Sequence, residues 1–216
     1  DPFYISEETK ARLRAVHPYF KGKTTNELAT AFMDEKTYDV FMNHGVFTVG
    51  NYFYNGVGHI CVDYGKVIAI GYEGIKKEAE ALLATVKTGD GDYMRRFHFL
   101  TAVIECCDAT RIFAERYAQE ADRLAASESN PLRREELKEI AAACRQVPYR
   151  GARSFREAVQ AFYMQFIIVM KEQPYGGNSP GRLDYYLWPY LESDLAKGVI
   201  TLEEAEELIE ELFIKN

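Results

Sequence analysis

The loop at residues 176–182, GGNSPGR, is the part of the sequence where a reactive side chain is held most firmly. Gly176 and Gly177 allow backbone angles that other residues resist, and Pro180 fixes φ and removes one amide donor. Between them, Ser179 carries a hydroxyl that can donate and accept a hydrogen bond. The composition of the loop therefore predicts a serine presented on a stiff support.

A second group of candidate residues lies in Asn43–Cys61, which is rich in glycine and aromatic residues and contains no Lys, Arg, Asp or Glu. This composition is typical of a strand or a loop. If the interval presents alternate residues inward, Phe47, Phe53 and Asn55 face a pocket. His59 stands near its end and carries an imidazole that can donate or accept a proton near neutral pH.

Two helices are predicted to hold the serine loop. The run Ser154–Glu172 has no Gly or Pro and is apolar nearly all round from Phe162 to Met170, which predicts a buried helix. After the loop, apolar and aromatic residues recur at three- and four-residue spacing, and Pro189 is expected to kink or restart this second helix. The recurring residues are Leu183, Tyr186, Leu187, Tyr190 and Leu191.

The rest of the sequence also reads mainly as helix. Capping boxes are predicted at Thr24 with Glu27, Ser154 with Glu157, and Thr201 with Glu204. Asp63 and Asn130 are predicted to cap two further helices. Helices are expected over Tyr64–Val86, Asp92–Ala126 and Pro131–Arg145. The last helix is predicted to bury one face made of Ala205, Leu208, Ile209, Leu212 and Phe213.

Composition excludes several classes of function. The chain has 216 residues, 47% of them hydrophobic, and a net charge of −7, so we expect a globular protein that binds neither nucleic acid nor an anionic membrane. No apolar run reaches the length of a membrane span, and the N-terminus lacks the features of a signal peptide. The four cysteines form no CxxC pair and no zinc-ligand pattern, so we predict no metal site and a cytoplasmic location. Cys106 and Cys107 are interpreted as core-filling residues.

The order of several features resembles the pyruvate formate-lyase-like glycyl radical enzymes over nearly the whole chain. These features are Gly58-His59, Asp63-Tyr64 before a helix, Val147-Pro148 before a capped helix, and the run Ser179-Pro180-Gly181-Arg182-Leu183-Asp184 leading to Tyr190. The resemblance points to the branch that contains glycerol and diol dehydratases, choline lyase, hydroxyproline dehydratase and sulfonate lyases.

The resemblance implies an α/β fold with a ten-stranded barrel wrapped in helices in the intact protein. The 216-residue portion given by this sequence is itself expected to be predominantly α-helical, as part of a single domain at 1–216. The family stores a radical on a backbone glycine, installed by a radical SAM activating enzyme, and passes it to a cysteine whose thiyl radical removes a hydrogen atom from a small-molecule substrate. A homodimer is also implied.

The sequence departs from the family at two places. The family's radical cysteine is followed two residues later by glutamate, and its radical glycine lies in an Arg-Val-Ser/Ala-Gly-Tyr-like run; neither occurs in this sequence. Cys61-Val62-Asp63 imitates the first, but it precedes a helix in the N-terminal portion and is interpreted as structural. We therefore expect this chain to be part of a longer protein, to bind no cofactor in this portion and to be inactive alone.

The resemblance also implies roles for individual residues. His59 resembles the histidine that contacts a substrate hydroxyl in polyol dehydratases, and Ser179 resembles the serine that hydrogen-bonds a substrate oxygen. The alternatives are a histidine packed at a helix entry and a serine that only stabilises its loop. For Arg182 and Asp184, an ion pair that fixes the loop is favoured over contact with substrate.

The residue types around the predicted pocket indicate a neutral substrate. Residues 47–58 contain no charge, whereas a buried sulfonate or carboxylate needs a cation and a quaternary amine favours a carboxylate or an aromatic cage. His59, Asn55 and Ser179 are suitable partners for hydroxyl groups, which predicts dehydration of a small polyol or vicinal diol. The alternatives are a C–N or C–S lyase, a formate acetyltransferase, or a helical interaction module without catalysis. The interpretation as a diol dehydratase also requires His59 and Ser179 to approach each other.

Overall fold

The computed structural model describes residues 5–46, 59–172 and 177–215 of the chain. About three quarters of these residues are helical, as predicted. Within them, β-structure is limited to one pair of two-residue strands. Contacts divide the chain into two compact units, Asp1–Gly58 and His59–Asn216. That residues 1–216 form part of a single domain stays a prediction.

The first unit contains short helices. They are α1 at Glu7–Phe20, α2 at Thr25–Thr30, α3 at Glu35–Tyr38 and a π-helical turn at Asp39–Asn43. The capping box predicted at Thr24 is confirmed: the Glu27 amide donates to Thr24 Oγ1 at 3.2 Å, and the Thr24 amide donates to Glu27 Oε2 at 3.3 Å. The sequence signal for the start of α2 was therefore sufficient.

The second unit carries two strands and six helices in its described part. Their order is β1 (Ile60–Cys61), α4 (Tyr64–Leu83), α5 (Tyr93–Ser127), α6 (Pro131–Gln146), α7 (Phe155–Glu172), β2 (Asn178–Ser179), α8 (Leu183–Ala196) and α9 (Leu202–Lys215). The main core lies between α4, α7, α8 and α9, with fully buried Tyr64, Ile68, Phe155 and Phe162. A smaller cluster of Ala118, Ala121, Ala141 and Cys144 joins α5 to α6.

The start of α7 differs from the predicted capping box. The Glu157 amide donates to Ser154 Oγ at 3.2 Å as expected, but Glu157 Oε2 accepts from the Arg153 amide at 2.7 Å instead of from Ser154. The Phe155 amide donates to the buried carboxylate of Asp194 at 2.7 Å. A residue 39 positions away therefore completes this cap, which no local pattern could predict.

The predicted continuous helix over Tyr64–Val86 is wrong at Gly71. This residue has φ 64° and ψ 177°, so the helical backbone is interrupted there, and α4 ends at Leu83. A Cβ on Gly71 would lie 2.4 Å from the carbonyl carbon of Arg150, because the chain crosses the segment at residues 148–152 in direct backbone contact. Three backbone hydrogen bonds join the two segments, from Tyr72 N to Pro148 O, from Glu73 N to Tyr149 O and from Ala152 N to Ile68 O.

Three predictions about burial and one about a helix break need correction. Pro189 lies inside α8, so it does not restart the helix, and a kink at this proline stays a prediction. The apolar run of α7 is buried to Gln165, and the residues after it are only partly covered in the described part of the chain. Phe213, expected on the buried face of α9, is 67% exposed, and Cys106 is exposed whereas Cys107 is buried. None of the described helices is long and apolar enough to cross a bilayer.

Replacing Tyr72 by phenylalanine is expected to flatten the loss of stability at alkaline pH. The Tyr72 hydroxyl donates to the buried Gln165 side chain, and burial raises the pKa of Tyr72 to about 12. An unfolded tyrosine titrates near 10, so the folded state keeps a proton that the unfolded state releases. The resulting stabilisation is complete below about pH 10 and is lost as pH rises towards 12.

The measurement is urea unfolding of full-length protein at several pH values between 8 and 11.5. Tyr117→Phe, at a partly exposed position of α5, is the matched control. Equal dependence of the unfolding free energy on pH in Tyr72→Phe and in the parent would contradict the assigned burial effect.

Candidate functional site

Strands β1 and β2 bring two distant parts of the sequence together. They pair in parallel, with Ile60 opposite Asn178 and Cys61 opposite Ser179. The Ile60 amide donates to the Gly177 carbonyl at 2.9 Å. The predicted approach of the histidine segment to the serine loop is therefore confirmed at these positions.

The register sets Cys61 opposite Ser179 and brings His59 close to the serine loop. Cys61 lies opposite Ser179, and because side chains alternate along extended chain, we expect His59 and Gly177, which directly precede the two strands, to share their face. The His59 ring lies directly against Gly177, because a Cβ on that glycine would lie 2.6 Å from His59 Cδ2. His59 and Ser179 are both exposed in the described structure. An imidazole and a hydroxyl on one open face can hydrogen-bond two oxygens of one small ligand.

Two tyrosine hydroxyls hold the residues on either side of Ser179. The Tyr64 hydroxyl donates to Asn178 Oδ1 at 2.9 Å, and the Tyr186 hydroxyl donates to the Pro180 carbonyl. Both rings belong to an aromatic cluster around Phe162, whose ring centroid lies 4.5 Å from that of Tyr64 and 6.4 Å from that of Tyr186. The core that joins α4, α7 and α8 therefore supports the serine loop directly.

Burial determines the protonation of these two hydroxyls. Desolvation raises the pKa of Tyr64 and, more strongly, that of Tyr186. Both phenols are therefore neutral at physiological pH and remain hydrogen-bond donors. The loop keeps its two supports over the whole pH range in which a histidine titrates.

Arg182 and Asp184 form the ion pair that the sequence predicted. Arg182 Nη2 lies 2.7 Å from Asp184 Oδ2, and the arginine Nε donates to Oδ1 at 2.9 Å. The hydrogen bond to Arg182 lowers the pKa of Asp184. Both side chains are exposed, so the pair contributes little stability. Asp184 nevertheless neutralises Arg182, which is the cation nearest to Ser179 in the sequence.

Three residues contribute to the site through contacts that were not predicted from the sequence. Tyr64 was recognised only as part of a motif, and its hydrogen bond to Asn178 depends on the fold. Asn178 Nδ2 is buried and has no hydrogen-bond partner among the described residues. Gly177 was predicted as a flexible position, yet its contact with His59 is what distinguishes it. Local composition shows none of these contacts.

The remaining predicted site residues lie outside the described part of the chain. Phe47, Phe53 and Asn55 fall within residues 47–58, so their place in a pocket stays a prediction. The described residues contain no group of three or more His, Cys, Asp or Glu that could hold a metal ion.

Comparison with known proteins identifies the family. The profile of the family described as pyruvate formate lyase-like matches residues 1–216. The chain belongs to this family. Its relatives are glycyl radical enzymes, and the intact structural neighbours contain a ten-stranded barrel, as the sequence predicted.

Two solved structures and one curated relative illustrate the similarity. The chain superposes with a TM-score of 0.86 on a solved structure whose subject is 1,2-propanediol dehydration in Roseburia inulinivorans. The two sequences are 46% identical, and the match covers 100% of this chain and 27% of that one. For the B12-independent glycerol dehydratase of Clostridium butyricum, in a glycerol-bound form, the TM-score is 0.83 at 45% identity, covering 99% and 27%. The isethionate sulfite-lyase of Nitratidesulfovibrio vulgaris is 35% identical over 99% of this chain and 27% of its own length. The chain thus spans about a quarter of the length of these relatives.

Proposed function

We propose that this pyruvate formate lyase-like chain is part of a glycyl radical lyase that dehydrates a small neutral polyol or vicinal diol to an aldehyde or ketone. The observation that carries the proposal is the parallel pairing of β1 with β2, which brings the segment that begins at His59 beside the loop of Ser179 and supports a shared site. The identities of 46% and 45% to the two diol- and glycerol-processing proteins, against 35% to the sulfite-lyase, support a neutral substrate.

Each residue of the face has a definite task in this proposal. The radical that abstracts a hydrogen atom from the substrate would be held by a part of the enzyme outside this chain. His59 hydrogen-bonds or protonates the departing hydroxyl, which lowers the barrier to its loss as water. Ser179 binds the neighbouring oxygen, and the tyrosine hydroxyls below the loop keep it in place.

The proposal includes partners of the full-length enzyme. A radical SAM activating enzyme would install the glycyl radical, two copies of the enzyme would form a homodimer, and the reaction would take place in the cytoplasm. The family of the chain supports the first of these, because its relatives are glycyl radical enzymes.

A sulfonate lyase is the second candidate, because an isethionate sulfite-lyase is among the relatives. A buried sulfonate requires a cation that is free to pair with it. Arg182 is the cation within the serine loop, and its guanidinium already pairs with Asp184 at 2.7 Å. The electrostatics of the loop therefore favour the neutral diol.

The test uses a full-length enzyme containing this sequence, activated without oxygen and checked for its radical by electron paramagnetic resonance. It is supplied separately with 1,2-propanediol, glycerol, isethionate and choline. We expect an aldehyde from a diol or from glycerol and no sulfite or trimethylamine. Turnover of isethionate or choline alone would contradict the proposed substrate class.

A further inference from the structure

Glycine is needed at position 177 because the His59 side chain lies against it, and not because of the backbone conformation of Gly177 itself. No φ in the left-handed range singles it out. A Cβ built on it would nevertheless lie 2.6 Å from His59 Cδ2, 3.1 Å from Nε2 and 3.2 Å from Cγ. The three nearest atoms therefore all belong to one imidazole ring.

We propose that Gly177 is a positioning residue for His59. Its missing Cβ leaves the space that the imidazole occupies, and this places the ring on the same face as Ser179. The role of the ring in the reaction rests on the proposed function. The contact itself stands on geometry alone.

A methyl group added at position 177 would displace the His59 ring more easily than it would displace the main chain at residue 177. The Gly177 carbonyl accepts the Ile60 amide at 2.9 Å, and the next residues pair in register with β1, so the main chain is fixed. The exposed His59 side chain can rotate about its own bonds. Displacement by about 1 Å can lower a rate by roughly 10²-fold when the displaced group must be aligned with substrate.

Gly181 shows the opposite case in the same loop. A Cβ there would lie 3.1 Å from Cys61 Sγ, but the residue also has φ 67°, where an L side chain is strained. Alanine at 181 would therefore change the backbone as well as the contact. Position 177 separates the two effects, which makes it the informative one.

The test is a double-mutant cycle in the activated full-length enzyme with Gly177→Ala, His59→Ala and both changes together. We expect Gly177→Ala to lower kcat/KM for the diol by roughly 10- to 100-fold, with little change in radical content or in Tm. In the His59→Ala background the same change should alter kcat/KM less than about twofold, because the ring it displaces is gone. Gly89→Ala is the control, since nothing lies within 4 Å of a Cβ at that glycine.

An equal loss of activity from Gly177→Ala in both backgrounds, or no loss in the parent, would overturn the proposal. A crystal structure of full-length Gly177→Ala keeps the proposal separate from the choice of substrate. We expect the imidazole to be displaced by about 1 Å or more while the main chain at residues 177–179 stays in place. An unmoved ring beside a shifted main chain would refute the positioning role even if no diol is turned over.

Discussion

Alanine at position 71 is expected to destabilise the protein by at least about 3 kcal/mol, from backbone strain and steric overlap acting together. Gly71 has φ 64° and ψ 177°, a region that is essentially restricted to glycine. A Cβ would also lie 2.4 Å from both the Tyr149 carbonyl oxygen and the Arg150 carbonyl carbon. These are main-chain atoms held by three hydrogen bonds across the crossing, so they cannot move aside cheaply.

Other glycines provide matched controls that separate the two causes. Gly198→Ala meets only the strain, since Gly198 has φ 65° and nothing within 4 Å of a Cβ. Gly151→Ala introduces only steric overlap, because its Cβ would lie 2.3 Å from the Ala69 carbonyl oxygen. Gly65→Ala introduces neither strain nor overlap, because the nearest atom would lie 3.5 Å from its Cβ. Denaturant unfolding of the full-length variants should rank the losses with Gly71 largest, then Gly151, Gly198 and Gly65.

A Gly71→Ala protein as stable as Gly65→Ala would show that the crossing is not built as described. Should Gly71→Ala yield no soluble protein, Gly151→Ala and Gly198→Ala still test the two causes one at a time. A loss of about 1 kcal/mol is expected for Gly198→Ala, the usual cost of a left-handed conformation for a residue with a Cβ.

Replacing His59 by alanine is expected to lower kcat/KM for a diol by roughly 10²-fold or more in the activated full-length enzyme. The change removes the group that would hydrogen-bond or protonate the departing hydroxyl, whereas Ser179 and its tyrosine supports remain. Because His59 is exposed in the described structure and buries no core surface, Tm and radical content should change little.

The matched control is His98→Ala, which removes an exposed imidazole from α5. Among the rings of the described residues, the His98 imidazole contacts that of Phe97. This variant should keep the parental kcat/KM. Near-parental diol turnover by His59→Ala would refute the catalytic assignment of that histidine, and an equal loss in both variants would point to general damage.

The sequence alone determined most helices of the second unit and several helix starts. Hydroxyl and carboxamide caps at Thr24, Asn130 and Thr201 predicted helices that the structure contains, because a capping bond joins residues two or three positions apart. The helix expected over Pro131–Arg145 is likewise present as α6, Pro131–Gln146. The ordered motifs over the whole chain also sufficed to identify the family, which the profile match confirms.

Only the tertiary structure decided which local signals hold and what supports the candidate site. The capping of Phe155 by Asp194, the backbone crossing at Gly71 and the bond from Tyr64 to Asn178 join residues 39 or more positions apart. The same holds for the His59 ring beside Gly177. Residue types and spacing encode hydrogen bonds within a turn or a helix, but such long-range contacts exist only after packing has fixed where each element lies, so no local pattern contains them.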